Sequence, residues 1–365
     1  MEEKKESVTK KSSTRKTTTK SSTKATTKEV TKAPAKEKKS SAKKTTTEKP
    51  KTTKKVSTPA KKTAKSDKQN LTEPKNLKIL GYNDLELNTY VYDNVENPKA
   101  VVVIVHGMQE HCLRYKAFAQ YLNQNGFIVV TNDLRGHGHT AISKDKLGFG
   151  EKDIFTETLQ DELNIISYAN ETYNLPIYLF GHSYGSMLSQ NLIQLSPLIE
   201  KCVLSGTGNG SSFVMKMGGL VASMLSPFKK YDSKGGLIER LCIKSYGKGF
   251  KRGNWLTRDE SIYDIFLQDE YCGGSFPFSF YKSLIKNMNK TNKTVQKIGS
   301  KKVFLIAGDC DPVGEKGKQV KKLYRLYLKN NINAKLKLYK GARHELINET
   351  NKEEVYKDVV DFFNE

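Results

Sequence analysis

The 365-residue chain has little of what would assign it to several familiar classes. It has five cysteines and a single tryptophan. Cys112, Cys202, Cys242, Cys272 and Cys310 are scattered, odd in number, and lack CxxC or Cys/His ligand spacing. That argues against a disulfide framework and for a reducing compartment. No run approaches the roughly 20 apolar residues that span a bilayer, and the opening Met1-Glu2-Glu3-Lys4-Lys5-Glu6 lacks the apolar core of a secretory leader. The expectation is a soluble, cytoplasmic protein. There is no P-loop and no GxGxxG followed by a suitable acid, so no nucleotide cofactor is expected. HExxH and carboxylate clusters are missing too, so no metal is expected.

What is abundant is positive charge, and it is unevenly placed. Of 62 Lys+Arg and 39 Asp+Glu, residues 1–70 hold 23 and 7, so most of the net charge of +23 belongs to the first fifth of the chain. This stretch is Lys, Thr, Ser and Ala with Pro34, Pro50 and Pro59, and it contains no aromatic residue. It cannot bury enough apolar surface to offset a backbone entropy of roughly 1–2 kcal/mol per residue. Residues 1–70 therefore read as a disordered tail, suited by charge to anionic membrane surfaces or nucleic acid.

From Leu71 onward, strand-like and helix-like stretches alternate, the pattern of an α/β domain over residues 71–365. Leu77–Gly81 and Leu85–Tyr92 flank the turn signal Asn83-Asp84 and predict an antiparallel hairpin. Val101–Val105 is a continuous apolar run, as in a strand buried on both faces. Phe127–Thr131, Ile177–Phe180, Lys201–Leu204 and Val303–Ile306 read as further buried strands; Lys335–Tyr339, with alternating lysines, reads as a weaker one. Helices are predicted over Arg114–Asn123, Thr156–Tyr173 and Glu353–Phe363. Between about 208 and 300 the rhythm fails, which predicts an insertion that caps the carboxyl edge of the sheet, where open α/β sheets bind ligands.

Gly181-His182-Ser183-Tyr184-Gly185 is a GxSxG between a predicted strand and an amphipathic helix (Met187, Leu188, Leu192, Leu195). A turn that sharp excludes side chains at the glycines and lifts the serine hydroxyl clear of the sheet. On its own, Ser183 could be an ordinary helix cap. A serine nucleophile needs a histidine base and a carboxylate that orients it, in the chain order Ser, acid, His. Of six histidines only His344 follows Ser183. The loop after Val303–Ile306 offers Asp309 and Asp311; Asp311 is favoured because Pro312 fixes the turn after it, leaving Asp309 to cap the turn. Backbone donors for an oxyanion are expected at Tyr184, directly after the nucleophile, and at Met108, after His106-Gly107. Asp133-Leu-Arg-Gly-His-Gly-His139 reads as a loop near the site, with Arg135 bracing nearby carbonyls, rather than as a metal site.

Taken jointly, His106-Gly-Met-Gln-Glu-His111 with Arg114-Tyr115, Asp133-Leu-Arg-Gly-His-Gly138, Gly181–Gly185, Asp309-Cys-Asp-Pro312 and Gly341-Ala-Arg-His344 resemble the monoacylglycerol lipase/lysophospholipase branch of the α/β hydrolases, also labelled serine aminopeptidase S33-like. The resemblance spans about residues 75–365. It implies an α/β-hydrolase fold, catalytic Ser183, Asp311 and His344, oxyanion amides at Met108 and Tyr184, and cleavage of a small-molecule ester or lipid, a monoacylglycerol or lysophospholipid first. Tyr184 and Ser186 stand where the family often has Met and Gly, which puts the acyl pocket in doubt rather than the backbone donor. Met215, Leu220, Val221 and Met224 suit either an acyl chain or the core of the cap. An aminopeptidase or short-chain carboxylesterase is the alternative, with Glu110, Asp259, Asp269 and Glu270 available to hold a free amino terminus. A polyanion-binding protein on a hydrolase scaffold is the alternative of another class. Nothing in the sequence fixes an oligomeric state.

Overall fold

Strand β3 (Ala100–Val105) shows how the centre of the molecule is built. All six of its side chains are fully buried, but alternate ones go to different cores. Val101, Val103 and Val105 join one apolar cluster; Ala100, Val102 and Ile104 join the other. A strand's two-residue period delivers this split automatically when both faces are covered. Each of its valines and Ile104 contributes roughly 1.5–3 kcal/mol by leaving water. A computed structural model describes residues 73–365, except 211, 212, 229, 231, 241, 242 and 244, and leaves out the side chains of 213–217. The expected tail over residues 1–70 lies outside the described residues, as do Cys242 and the Met215 side chain.

The sheet has eight strands in the order β1-β2-β4-β3-β5-β6-β7-β8. β1 (Lys75–Leu80) and β2 (Glu86–Tyr92) form the expected hairpin, with Leu77 opposite Thr89, and β2 is also antiparallel to β4 (Phe127–Asn132). From β4 through β3, β5 (Ile177–His182), β6 (Ile199–Ser205), β7 (Lys302–Gly308) and β8 (Asn333–Tyr339), all pairings are parallel. β8 ends the sheet, and its lysines fit an edge, where charge discourages pairing with another chain. Lys337 reaches Asp358 at 2.5 Å and lies over the Tyr339 ring.

Helices cover both faces. α1 (Lys116–Gln124) and the last helix, α9 (Lys352–Asn364), lie on one through Phe118, Leu122, Val355 and Val359. α2 (Ile154–Tyr173), α3 (Tyr184–Leu195) and α8 (Lys318–Lys329) cover the other through Phe155, Ile165, Leu188, Leu192 and Leu323. This is the α/β-hydrolase architecture expected from the sequence.

Among the described residues, the stretch from 208 to 300 contributes no strand to the sheet. Among its described residues it holds α4 (Phe213–Leu225), a single turn α5 (Leu237–Glu239), α6 (Glu260–Gln268) and α7 (Phe278–Thr291). α6 starts on a side-chain cap, with Asp259 accepting from the amides of Ser261 and Ile262. α7 docks on the start of α2, where Ser283 Oγ accepts the Phe155 amide (3.0 Å) and Asn287 donates to Asp153 (2.9 Å).

Candidate active site

Four parallel strands deliver four loops to one edge. β5 runs into Ser183, whose backbone sits at φ 51°, ψ −115°, outside the helical and extended regions. Such a conformation costs on the order of 1–3 kcal/mol, and the surroundings must impose it. Here the Ser183 amide donates to Ser205 O (2.9 Å), and its carbonyl accepts from the Met187 amide (3.0 Å). The flanking glycines are steric necessities: a Cβ on Gly185 would collide with the carbonyl oxygens of Val105 and His106, and one on Gly181 with Ser189 and the Gly185 carbonyl.

β8 leads to His344 and β7 to the two aspartates. His344 Nδ1 is 3.0 Å from Asp311 Oδ2, and Asp311 is fully buried. The other oxygen of Asp311 accepts the Val313 amide (2.8 Å). Asp309 instead accepts the Gly341 amide (2.7 Å), so it ties its loop to the one before His344 rather than capping its own turn as expected. A carboxylate oxygen facing Nδ1 favours the tautomer with its proton there, which leaves Nε2 as an acceptor. His344 Nε2 is buried and has no hydrogen-bond partner among the described residues. Burial disfavours the imidazolium, but Asp311, with Glu345 and Glu110, outweighs it and raises the His344 pKa above that of an ordinary histidine. His182, whose ring lies tilted beside it with centroids 4.8 Å apart, behaves oppositely. Burial and the neighbouring His344 push its pKa down to about 4.

β3 leads to His106-Gly107-Met108. Met108, Tyr184, Ser183 and His344 line one cavity. Tyr184 opens α3, so its amide is one of the first-turn N–H groups without an intrahelical acceptor. The loop is held by an ion cluster that pattern reading missed. Glu110 accepts from the Gly107 amide (2.6 Å) and the Tyr115 hydroxyl (2.8 Å), and pairs with Arg114. Arg114 also grips Glu345 through two bonds, 2.9 and 2.6 Å. Burial opposes the Glu345 carboxylate, but Arg114 prevails and brings its pKa down to about 2. The adjacency of Glu345 to His344 was the only sequence signal for this partner, 231 residues from Arg114.

The other wall of the cavity comes from the 208–300 segment: Tyr246, Trp255, Phe266, Tyr281, Leu284 and Ile285 are among its lining residues. Trp255 packs on His344 with centroids 4.9 Å apart, and Arg343 fixes this segment by donating to the carbonyls of Asn254 (2.6 Å) and Thr257 (2.7 Å). Of the cap residues singled out from sequence, the described Leu220, Val221 and Met224 do not line the cavity. Leu220 and Met224 face outward, more than half exposed, while Val221 is half-buried against the core. The reason is steric: Gly218 and Gly219 set α4 close against Ile285 of α7, which turns the Leu220 face away.

In the Asp133–His139 loop, Asp133 accepts from the Cys112 amide (3.0 Å), the His139 amide (2.8 Å) and Asn88 (3.0 Å). Arg135 does brace a carbonyl, that of Tyr82 (2.6 Å), and pairs with buried Asp161. The acidic residues considered as holders of an amino terminus have other partners. Glu110 is committed to Arg114, Asp259 caps α6, Asp269 meets His111, and Glu270 pairs with Lys144 at the surface.

Comparison with known proteins agrees with this fold. The family model described as serine aminopeptidase, S33, matches residues 96–351. A monoglyceride lipase homolog of Monkeypox virus is 26% identical over 75% of this chain and 92% of its own length. The phospholipase YtpA of Bacillus subtilis is 25% identical over 72% and 94%. A thermostable carboxyl esterase from Bacillus coagulans, crystallised with glycerol, superposes with a TM-score of 0.72 at 24% identity, covering 80% of this chain and 98% of that one. The chain belongs to the serine aminopeptidase S33 family, in the monoacylglycerol lipase/lysophospholipase branch of the α/β hydrolases, and is a serine hydrolase.

Proposed function

We propose that the protein hydrolyses the ester of a single-chain acylglycerol or lysophospholipid through an acyl-enzyme on Ser183. Ser183 Oγ attacks the ester carbonyl while His344 Nε2 takes its proton, and Asp311 stabilises the imidazolium. The Met108 and Tyr184 amides receive the oxyanion, a contribution typically worth 10²–10³ in rate per donor. The imidazolium then protonates the departing alcohol, and water, activated by the same histidine, releases the fatty acid. The observation that carries this reading is the free, buried Nε2 of His344, oriented by Asp311 in the cavity that Ser183 lines. The aromatic and aliphatic wall opposite, from residues 208–300 acting as a cap, suits an acyl chain. The lipase and phospholipase names of the relatives support the same substrate class, and the existing partners of Glu110 and Asp269 favour an ester over a peptide with a free amino terminus.

The test compares wild type and Ser183→Ala on long-chain monoacylglycerols, short p-nitrophenyl esters and aminoacyl-p-nitroanilides. Preference for long-chain monoacylglycerols with an inert variant upholds the reading. Preference for anilides moves the protein to the peptidases, and equal turnover by both proteins removes Ser183 from the mechanism.

We further infer a cytoplasmic enzyme that works at anionic membrane surfaces. Two observations favour it: the charge of residues 1–70, and the exposed Leu220, Met224 and Phe228 in and just after α4. No helix among the described residues is long and apolar enough to cross a membrane. Vesicle binding unchanged after deletion of residues 1–70 would end the tail's part in it.

A further inference from the structure

Where the 208–300 segment meets the Met108 loop, three side chains outside the proposed hydrolytic machinery converge. His111 closes that loop, and Asp269 and Cys272 lie in the turn after α6. His111 Nε2 is 2.8 Å from Asp269 Oδ2, and the imidazole nitrogen, a carboxylate oxygen and the Cys272 sulfur all lie within 4.8 Å of one another. Among the described residues no other His, Cys, Asp and Glu side chains form such a group. In a tetrahedral zinc site, bonds of about 2.3 Å to sulfur and 2.0–2.2 Å to nitrogen or oxygen put neighbouring ligands roughly 3.3–3.6 Å apart. To seat an ion, these three atoms, now at most 4.8 Å apart, have to adjust to that spacing.

The backbone already holds them in place. The Cys272 amide donates to the Asp269 carbonyl (3.1 Å), and Asp269 Oδ1 accepts the Tyr271 amide (2.9 Å), so one turn presents both ligands and leaves Oδ2 facing His111. The His111 loop is tied to the same turn: Gly273 N donates to Gln109 O (2.9 Å) and Gln109 Nε2 to Gly274 O (2.5 Å). His111 Nδ1 is buried without a partner among the described residues, so it can carry the ring proton when Nε2 ligates. The neighbourhood also has negative charge to spare. Arg114 faces both Glu110 and Glu345, and Asp269 adds a third carboxylate beside that cluster.

We propose that His111, Asp269 and Cys272 form a zinc site with water in the fourth position. The thiolate–imidazole–carboxylate set favours zinc over magnesium or calcium, which take oxygen ligands. On binding, the Cys272 thiol releases its proton to solvent, and the His111 ring proton resides on Nδ1. Asp269 enters as a carboxylate, and no electron is transferred. The bound ion joins the α6–α7 connection to the loop that carries Met108, so it acts as a staple between cap and oxyanion loop, independently of which ester is cleaved.

The full-length protein, freed of metal with a chelator, is titrated with zinc chloride by calorimetry and with cobalt(II) by absorption spectroscopy. Wild type should bind one zinc that Cys272→Ser and Asp269→Asn each weaken by about tenfold or more. Its cobalt form should show a thiolate-to-cobalt charge-transfer band that Cys272→Ser abolishes. Cys272→Ser without metal should keep wild-type p-nitrophenyl ester hydrolysis, which verifies that the variant is folded. Zinc binding that survives Cys272→Ser unchanged, or a cobalt spectrum without sulfur ligation, overturns the site. Binding that survives and abolishes hydrolysis assigns the metal to His344 and Asp311 instead.

Discussion

The carboxyl edge of the sheet and the 208–300 segment enclose one cavity from opposite sides, yet they are made differently. At the edge every position is constrained. Ser183 sits in a strained backbone conformation, Gly185 has no room for a Cβ, and the carboxylates of Asp309, Asp311, Glu110 and Glu345 each have assigned partners. The segment above consists of short helices, close glycine contacts and large apolar side chains in water, Phe228 at 85% exposure. A reaction needs its groups held to fractions of an ångström, whereas an apolar wall for a flexible chain needs only the right surface. Substrate choice can therefore drift in the second region while the chemistry of the first stays put.

The contrast breaks most severely at the elbow. Gly185→Ala should fail to fold or lose several kcal/mol in chemical denaturation, because its Cβ meets two backbone carbonyls that cannot move aside. Next comes Asp311→Asn, expected to lower kcat for a short ester by about 10³–10⁴ with little change in Tm. Asp309→Asn, which keeps an acceptor for the Gly341 amide, should cost less than about tenfold. The same comparison has a pH signature. His344 must be neutral to accept a proton and Asp311 raises its pKa, so the acid limb of kcat/KM should lie above the range of a free histidine. In the residual activity of Asp311→Asn the limb should move to lower pH.

Away from the edge, Glu162 is fully buried, and its pKa is pushed up to about 8 mainly by burial, with Asn132 donating to it at 2.8 Å. Between the unfolded value of 4.5 and about 8 the folded state keeps a proton that the unfolded state has lost. Stability therefore falls as pH rises through that window, and the full cost is present above it. Glu162→Gln should flatten the decline, with a gain on the order of 3 kcal/mol at pH 8.5 by urea denaturation. An unchanged slope would show that Glu162 ionises freely in the folded protein. The smallest effect belongs to the outer face of the 208–300 segment. Leu220→Ser should change stability by about 0.5 kcal/mol or less and leave short-ester hydrolysis intact. A large loss would mean that the Leu220 face belongs to the working pocket.

What could be read in advance follows the same division. The strands announced themselves because burial on both faces demands unbroken runs such as Val101–Val105, and the elbow because its geometry admits only glycine at Gly181 and Gly185. The choice between Asp309 and Asp311 rested on local turn chemistry, which lies within a few residues. The Arg114–Glu345 pair could not be read that way, since only the fold brings positions so distant together. α7 is a different kind of miss. Tyr281, Leu284, Ile285 and Met288 carry helical spacing, obscured by the Gly, Ser, Phe and Tyr around them. The direction of the Leu220 face depended on how closely α4 approaches α7, a tertiary fact with no local signature.

Arg114 has one further consequence, for anyone recombining this protein with a relative. A single guanidinium serves as counter-ion to Glu110 beneath the Met108 loop and to Glu345 beside His344. These two loops are therefore one inheritable unit despite lying at opposite ends of the domain. A chimera that exchanges the amino-terminal half alone has to bring an arginine that fits the resident Glu345, or it strands a buried carboxylate next to His344. Crossover points placed within the 208–300 segment avoid that mismatch only when both loops come from the same parent.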